Sequence, residues 1–194
     1  MNNSKKTYLL GIDPGTTETA YCLCEVVSDL LPLKICQFAK IDNEEMAEVL
    51  QIILLHCLKS SEENSNLIVA IEHLESYGMA VGKSTFETAY FIGRLTEICN
   101  QAGINVQRIY RHEEKNLICH SMKANDSTIK QALVDRFAKH PEINHGKGNK
   151  KEPDYFYGFR ADCWSAFGIC YTYYLKELLD GLPFQDDRAE SIEF

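Results

Sequence analysis

Two short apolar runs, each ending in a carboxylate, constrain this 194-residue chain more than any other feature. The run Tyr8–Ile12 ends at Asp13, directly before a proline and a glycine, and the run Leu67–Ile71 ends at Glu72. Aliphatic runs of this length, bounded by turn residues, are typical of buried strands. A carboxylate is costly to bury without a partner, and strand ends are where open α/β sheets collect their ligand sites. The two acids therefore predict a site at the end of a sheet.

A third acid, Asp162, opens an apolar stretch that is predicted to be a helix. Each acid alone has a simpler explanation. Asp13 could hold an Asp-Pro-Gly turn, Glu72 could be a solvated strand end, and Asp162 could interact with the helix dipole. Taken together, two acids at strand ends and one at a helix start form a cage suited to a hard divalent cation.

The hydrophobic pattern predicts the element order β-β-β-α-β-α-β-α-α, and hence an α/β fold. Strands are predicted near residues 7–13, 20–27, 33–41 and 104–110 and in the run ending at Glu72, and helices from about 43, at 85–101, at 127–138 and from 162 to about 181. Ser127 is the predicted cap of the third helix, and residues 140–160 are predicted to be irregular and mobile. The prediction is one domain over residues 1–185 and a disordered acidic tail over 186–194.

The ordered motifs resemble those of RuvC-type Holliday junction resolvases, in the RNase H-like or retroviral-integrase-like superfamily. Gly11–Thr17 and Val69–Glu72 are similar to the first two acidic motifs of that family, Lys130–Val134 to its basic helix, and Asp162–Ala166 to its last acidic motif. The resemblance covers residues 7–176 and implies a five-stranded mixed sheet flanked by helices. It departs from the family at Phe159, where a further acid or histidine usually stands. Asp154 and Glu75 are weak substitutes for that ligand.

The resemblance implies a Mg²⁺- or Mn²⁺-dependent endodeoxyribonuclease that resolves four-way DNA junctions by paired symmetrical nicks, as a homodimer. Asp13, Glu72 and Asp162 would hold two ions, which activate water and neutralise charge on the phosphoryl group. Oxygen ligands favour Mg²⁺ or Mn²⁺ over zinc. Two alternatives stay open. One is a non-catalytic protein of the same fold that binds junctions or other nucleic acids, and the other is a related nuclease acting on flaps, replication forks or RNA–DNA hybrids.

By the same resemblance, Lys130 is a catalytic residue near the scissile phosphate, and Lys115 is a looser match to such a lysine. Tyr77 and Lys83 belong to a glycine-flanked loop after the second acid, where they suit base stacking and phosphate contact.

The lysines at 147, 150 and 151 lie in the irregular segment and are predicted to contact the DNA backbone. For Tyr77 and Lys83, each taken singly, a flexible surface loop is almost as good an explanation. For His112, His120 and His145 a solvated or structural role is predicted, because they lack ligand spacing.

Charge and cysteine usage bound the remaining possibilities. The net charge of −8 is unlike that of a generic nucleic-acid binder, but residues 104–151 alone carry +5, which is compatible with one basic face. The eight cysteines form no C-x-x-C pair and fall largely in apolar patterns, which indicates reduced thiols in an intracellular, cytoplasmic protein. No apolar run reaches the length of a membrane span, and the N-terminus lacks the apolar core of a signal peptide.

Two nucleotide-binding interpretations compete with the nuclease. Gly78–Ser84 looks like a P-loop, but three residues separate its glycines where the motif requires four. Gly11–Thr17 also resembles the first phosphate motif of actin-like ATPases. Those proteins close two such domains over a nucleotide, and this chain has room for one.

Overall fold

The computed structural model describes residues 6–27, 30–59, 65–75, 78 and 81–179, without the side chains of 58 and 59. The strands are β1 (Lys6–Pro14), β2 (Glu18–Val26), β3 (Leu33–Asp42), β4 (Ser65–His73) and β5 (Gln107–Tyr110). The helices are α1 (Asn43–Lys59), α2 (Lys83–Gln101), α3 (Arg111–Cys119), α4 (Asp126–Phe137) and α5 (Cys163–Tyr173), the last continued by a π-helical turn at Tyr174–Leu178. The predicted tail and Tyr77 lie outside the described residues. No helix in the described part of the chain combines the length and apolarity of a bilayer span.

The five strands form one mixed sheet in the order β3-β2-β1-β4-β5, which confirms the predicted sheet. β1 pairs with β2 antiparallel and with β4 parallel. The parallel register sets Ile12 opposite Ile71, so the two acids that follow, Asp13 and Glu72, end adjacent strands at the same edge. The site predicted at the strand ends is therefore carried by the central strand and its neighbour.

Alternation along the strands buries both faces of the sheet, which explains why β1 and β4 are continuously apolar. Leu10 of β1 and Val69 of β4 face the cluster that includes α1 and α2. Leu9 and Ala70 face the opposite cluster, which includes α4 and α5. Gly11 permits α5 to approach closely, because a Cβ there would lie 2.2 Å from the Ala166 carbonyl oxygen. That approach brings the start of α5 to the end of β1.

Helix α3 is the element that the sequence pattern misses. The polar stretch after β5 was predicted to run to the next helix without structure, and it instead forms a helix from Arg111. Its start is stabilised by Glu113, whose carboxylate accepts a hydrogen bond from the Tyr110 backbone N–H at 2.9 Å. The pattern gives no warning because the fully buried side chain of α3 is a glutamate, Glu114, and not an aliphatic residue.

Two boundaries also differ from the prediction. Strand β5 begins at Gln107 rather than 104, since Ile104 and Val106 pack into the α1–α2 cluster without strand pairing. The cap of α4 is Asn125 rather than Ser127, and its side-chain oxygen accepts from the Thr128 backbone N–H at 3.0 Å.

The segment between α4 and α5 consists of turns with one isolated bridge, as its composition predicts. It is nevertheless anchored in the core. Phe156 is 0% and Phe159 1% exposed, and their ring centroids lie 4.5 and 5.2 Å from that of Trp164. The family position of a fourth ligand is thus occupied here by a core side chain. Trp164 itself is also buried.

Candidate active site

The structure brings together the three acids singled out in the sequence. Asp13 at the end of β1 shares a hydrogen bond with Glu72 at the end of β4, and the Ser165 hydroxyl, in the first turn of α5, also bonds Asp13. Asp162 caps the start of α5 and is close enough for its charge to act on Asp13. Neighbouring strands and the helix packed over them therefore supply one carboxylate each.

The crowding of these acids changes their proton affinity. Burial, and then the charge of Glu72, raise the pKa of Asp13 to about 8. Burial also raises the pKa of Glu72, although the hydrogen bond with Asp13 acts in the opposite direction. At neutral pH the pair of carboxyl groups therefore retains a proton, and Asp13 donates a hydrogen bond to Glu72.

Lys40 of β3 is a site residue that the sequence analysis did not identify. Its Nζ lies 2.9 Å from the Asp162 carboxylate and 3.1 Å from that of Glu18. The hydrogen bond to Asp162, followed by the one to Glu18, raises the pKa of Lys40. Lys40 therefore compensates the outermost of the three acids, which is 47% exposed.

A cavity of about 410 Å³ opens beside the acids. It is lined by residues of α3, α4, α5 and the preceding irregular segment: Arg111, Glu114, Asp126, Ser127, Ile129, Lys130, Lys147, Ala161, Asp162, Trp164 and Ser165. Two of the predicted lysines are among them. The Lys130 Nζ lies 4.8 Å from the centroid of the Trp164 ring, a cation–π contact that fixes its position. Partial burial, then the charge of Lys130, lower the pKa of Lys147.

The four other predicted DNA-contact residues that the structure describes do not line this cavity. Lys115 lies on α3, and Lys83 begins α2, where it is 90% exposed and pairs with Glu87 at 3.3 Å. Lys150 and Lys151 are exposed on the turn between Gly148 and Pro153.

The three histidines have no place in the cavity lining. The His112 Nδ1 lies 3.0 Å from a Glu75 carboxylate oxygen, and His120 is the left-handed C-cap of α3. His145 is exposed.

Arg111 and Glu114 are cavity residues that the sequence analysis missed together with their helix. The Arg111 guanidinium donates to both the Glu114 and the Asp126 carboxylates. Burial raises the pKa of Glu114 to about 7 against the opposing effect of Arg111, and the charge of Asp13 acts in the same direction as burial. The available signal was the pair Glu113-Glu114, which begins three residues after the end of β5, since acids are enriched in the first turn of a helix.

The donors at this site suit a hard divalent cation, because they are carboxylate oxygens. Within the described ranges, no three His, Cys, Asp or Glu side chains stand as a finished metal-binding group. Lys40 holds Asp162, and a proton joins Asp13 to Glu72. The chemistry of the donor set therefore fits a divalent ion that would displace this lysine and this proton.

Neither sequence-based substitute for the fourth ligand is available. The Asp154 carboxylate accepts backbone N–H bonds from Lys139, His140 and Tyr155 at 2.7 to 3.0 Å, which makes it a cap of the irregular segment. Glu75 is engaged with His112.

Comparison with known proteins places the fold. No family model matches the chain, and no curated protein matches it. Among solved structures, the chain is similar to Thermus thermophilus RuvC with a TM-score of 0.58 and 16% identity, over 87% of this chain and 93% of that one. It is similar to T. thermophilus RuvC in complex with Holliday junction substrate with a TM-score of 0.56 and 14% identity, over the same shares. A fowlpox virus resolvase bound to Holliday junction DNA matches at a TM-score of 0.49 and 11% identity, over 89% and 99%. The chain therefore has the RNase H-like fold of RuvC, and its structural neighbours include Holliday junction resolvases.

Proposed function

We propose that this protein is a metal-dependent endodeoxyribonuclease that resolves four-way DNA junctions. One observation carries the proposal: the acids that end β1 and β4 lie close to Asp162 at the start of α5, and Asp162 lines a cavity together with Lys130 and Lys147. Acids that hold a cation and lysines that attract a phosphate are the two requirements of phosphodiester hydrolysis. The RuvC fold of the chain is consistent with a junction as the substrate.

Asp13, Glu72 and Asp162 would hold Mg²⁺ or Mn²⁺, with two ions per site. When bound, such ions supply a deprotonated water and neutralise charge on the phosphoryl group. Asp13 must first lose the proton it shares with Glu72, and Lys40 must release Asp162. Lys130, held over Trp164, and Lys147 would bind the phosphate. Tyr77 would stack on a base that is unpaired at the crossover, and Lys83, Lys115, Lys150 and Lys151 would contact other phosphates of the DNA.

The proposal includes a homodimer, because paired nicks on opposed strands require two copies of the site. Helix α2 offers a surface for it. Phe86 and Tyr90 are 56% and 79% exposed, and with Ala89 and Gly93 they form an exposed stripe on one helix face. Replacing Phe86 and Tyr90 by Ser should shift sedimentation from dimer to monomer and convert paired into single nicks. A variant that stays dimeric would exclude this face.

The test of the activity is incubation with labelled four-way junction, plain duplex, flap and RNA–DNA hybrid, with Mg²⁺ and with chelator. We expect Mg²⁺-dependent paired cleavage of the junction and none by the Asp13→Asn variant. Preferential cleavage of flaps or hybrids would keep the chemistry and change the substrate.

A second candidate is a non-catalytic junction-binding protein, which is favoured by Phe159 in the core and by the Lys40–Asp162 pair. If the protein binds junctions but cleaves none with Mg²⁺ or with Mn²⁺, the non-catalytic function is established and the nuclease proposal is overturned.

A further inference from the structure

We propose that Glu114 of α3 is the fourth acid of this site and would contribute its carboxylate, with those of Asp13, Glu72 and Asp162, to holding the divalent cation. The inference rests on the proposed function and deepens it. It assigns the fourth carboxylate to a helix that packs against α5, rather than to the turn before α5 where Phe159 stands.

The first observation is that Glu114 is buried and only half satisfied. Its side chain is 3% exposed. One carboxylate oxygen, Oε2, accepts from Arg111, whereas Oε1 is buried with no hydrogen-bond partner. A buried polar atom without a partner is costly and rare in native structures. Its presence points to a partner that binds here.

The second observation is where Oε1 lies. It faces α5 at Gly168, where an added Cβ would come within 2.2 Å of it. Gly168 is about one helical turn after Ser165, the residue that bonds Asp13. Glu114 therefore reaches the same face of α5 as Asp13, and it lines the cavity together with Asp162 and Ser165. Its charge acts on Glu72 as well as on Asp13.

A purely structural role would make Glu114 the anchor of Arg111. That role accounts for Oε2, and Arg111 has a second acid, Asp126, which is 90% exposed. It leaves Oε1 unexplained, and it does not require the absence of a side chain at position 168. A cation held by the other three acids would give Oε1 an opposite charge to face and would relieve the repulsion among the four carboxylates.

The test is Mn²⁺ binding to the full chain without DNA, measured by calorimetry and by the electron paramagnetic resonance signal of free Mn²⁺. Glu114→Gln removes the charge and keeps an oxygen for Arg111. We expect it to weaken Mn²⁺ binding at least about tenfold, the lower end of what removal of a supporting group costs at metal sites. It should also reduce the rise in melting temperature that Mn²⁺ produces. Asp126→Asn is the matched control, because it removes the other acid bound to Arg111, and it should weaken Mn²⁺ binding clearly less than Glu114→Gln, since the Asp126 side chain is 90% exposed.

A second pair of variants tests the same carboxylate by adding a methyl group at the glycine of α5 that faces it. Gly168→Ala should displace Glu114 and weaken Mn²⁺ binding without any change in charge. Gly82→Ala is its control, since a Cβ on that exposed glycine comes no closer than 4.0 Å to any neighbouring atom. If Glu114→Gln does not fold, Glu114→Asp, which keeps the charge but withdraws it by one methylene, should weaken binding in the same direction.

The outcomes separate the two proposals. Mn²⁺ binding that is lost in Asp13→Asn but unchanged in Glu114→Gln would overturn the role of Glu114 alone. Equal losses in Glu114→Gln and Asp126→Asn would also overturn it, because Glu114 would then act through Arg111. No Mn²⁺ binding by the unmodified protein would remove the metal-dependent function and, with it, this inference.

Discussion

The two faces of the sheet are filled in different ways. The face under α1 and α2 is packed with aliphatic side chains such as Leu10, Leu50 and Leu95, all fully buried. The face under α3, α4 and α5 is richer in aromatic rings and thiols, and the acids and the cavity that they share with Lys130 lie at its edge. The buried cluster of the first face is hydrophobic throughout. The second shares its stability with a site, and it is there that buried charge is found.

The largest difference between the two faces is expected when the charge of one of the three acids is removed. Asp13→Asn, Glu72→Gln and Asp162→Asn each change side-chain volume little, and each should reduce cleavage by at least about 100-fold, the scale of one lost electrostatic contribution to a transition state. Junction binding should persist. The control is Glu48→Gln on the exposed face of α1, which should cut normally. Strong Mg²⁺-dependent turnover in any of the three variants would remove that residue from the site.

The same contrast decides what could be predicted from sequence. The strands and α1 follow the periodicity of aliphatic residues, so β1 and β4 were placed within one or two residues, and with them Asp13 and Glu72. Helix α3 could not be found from this periodicity, because its buried side chain is Glu114. In the sequence, a buried acid cannot be distinguished from a solvated one. Lys40 was missed because the ion pair with Asp162 depends on the pairing of β3 with β2, which no local pattern contains.

Core truncations should distinguish the two faces by their effect on activity. Leu50→Ala and Phe159→Ala each empty a fully buried position. Both should lower the free energy of unfolding, by about 2–5 kcal/mol for the leucine and about 3–5 for the phenylalanine. Only Phe159→Ala should also reduce cleavage at a temperature where the protein stays folded, because its ring packs on Trp164, which positions Lys130. If Leu50→Ala and Phe159→Ala cleave at equal rates while both are folded, the aromatic cluster around Phe159 does not support the site.

The acids of the site should give the metal-free protein an unusual pH dependence. The folded-state pKa of Asp13 is about 8 against an ordinary 3.8, so the folded chain holds this proton more tightly than the unfolded chain. The resulting stability is fully present below about pH 4 and is lost as pH rises through about 8. Glu114, with a pKa of about 7, contributes with the same sign.

Between pH 5 and 9 the melting temperature in chelator should therefore fall, by an amount that corresponds to a few kcal/mol at ~1.4 kcal/mol per pKa unit. Asp13→Asn should flatten the fall, and saturating Mg²⁺ should reduce it. A melting temperature that rises over this range would show that Asp13 is ionised in the folded protein.

The smallest effect separates lysines inside the cavity from lysines outside it. Lys147 lines the cavity, whereas Lys150 and Lys151 are exposed on the neighbouring turn. Each phosphate contact that is lost should reduce the slope of log affinity against log salt by about 0.9, whichever lysine is removed. Lys147→Ala should reduce that slope and also lower the cleavage rate, because it faces the acids' cavity beside Lys130. The double change of Lys150 and Lys151 to Ala should reduce the slope by about twice as much and leave cleavage of bound junction unchanged.

Titrations at several salt concentrations, together with single-turnover cleavage at saturating protein, measure the two quantities separately. A salt slope that is unchanged in both variants would show that these lysines do not contact the DNA backbone. Slower cleavage of bound junction by the double variant would show that the turn at Lys150 and Lys151 belongs to the active site.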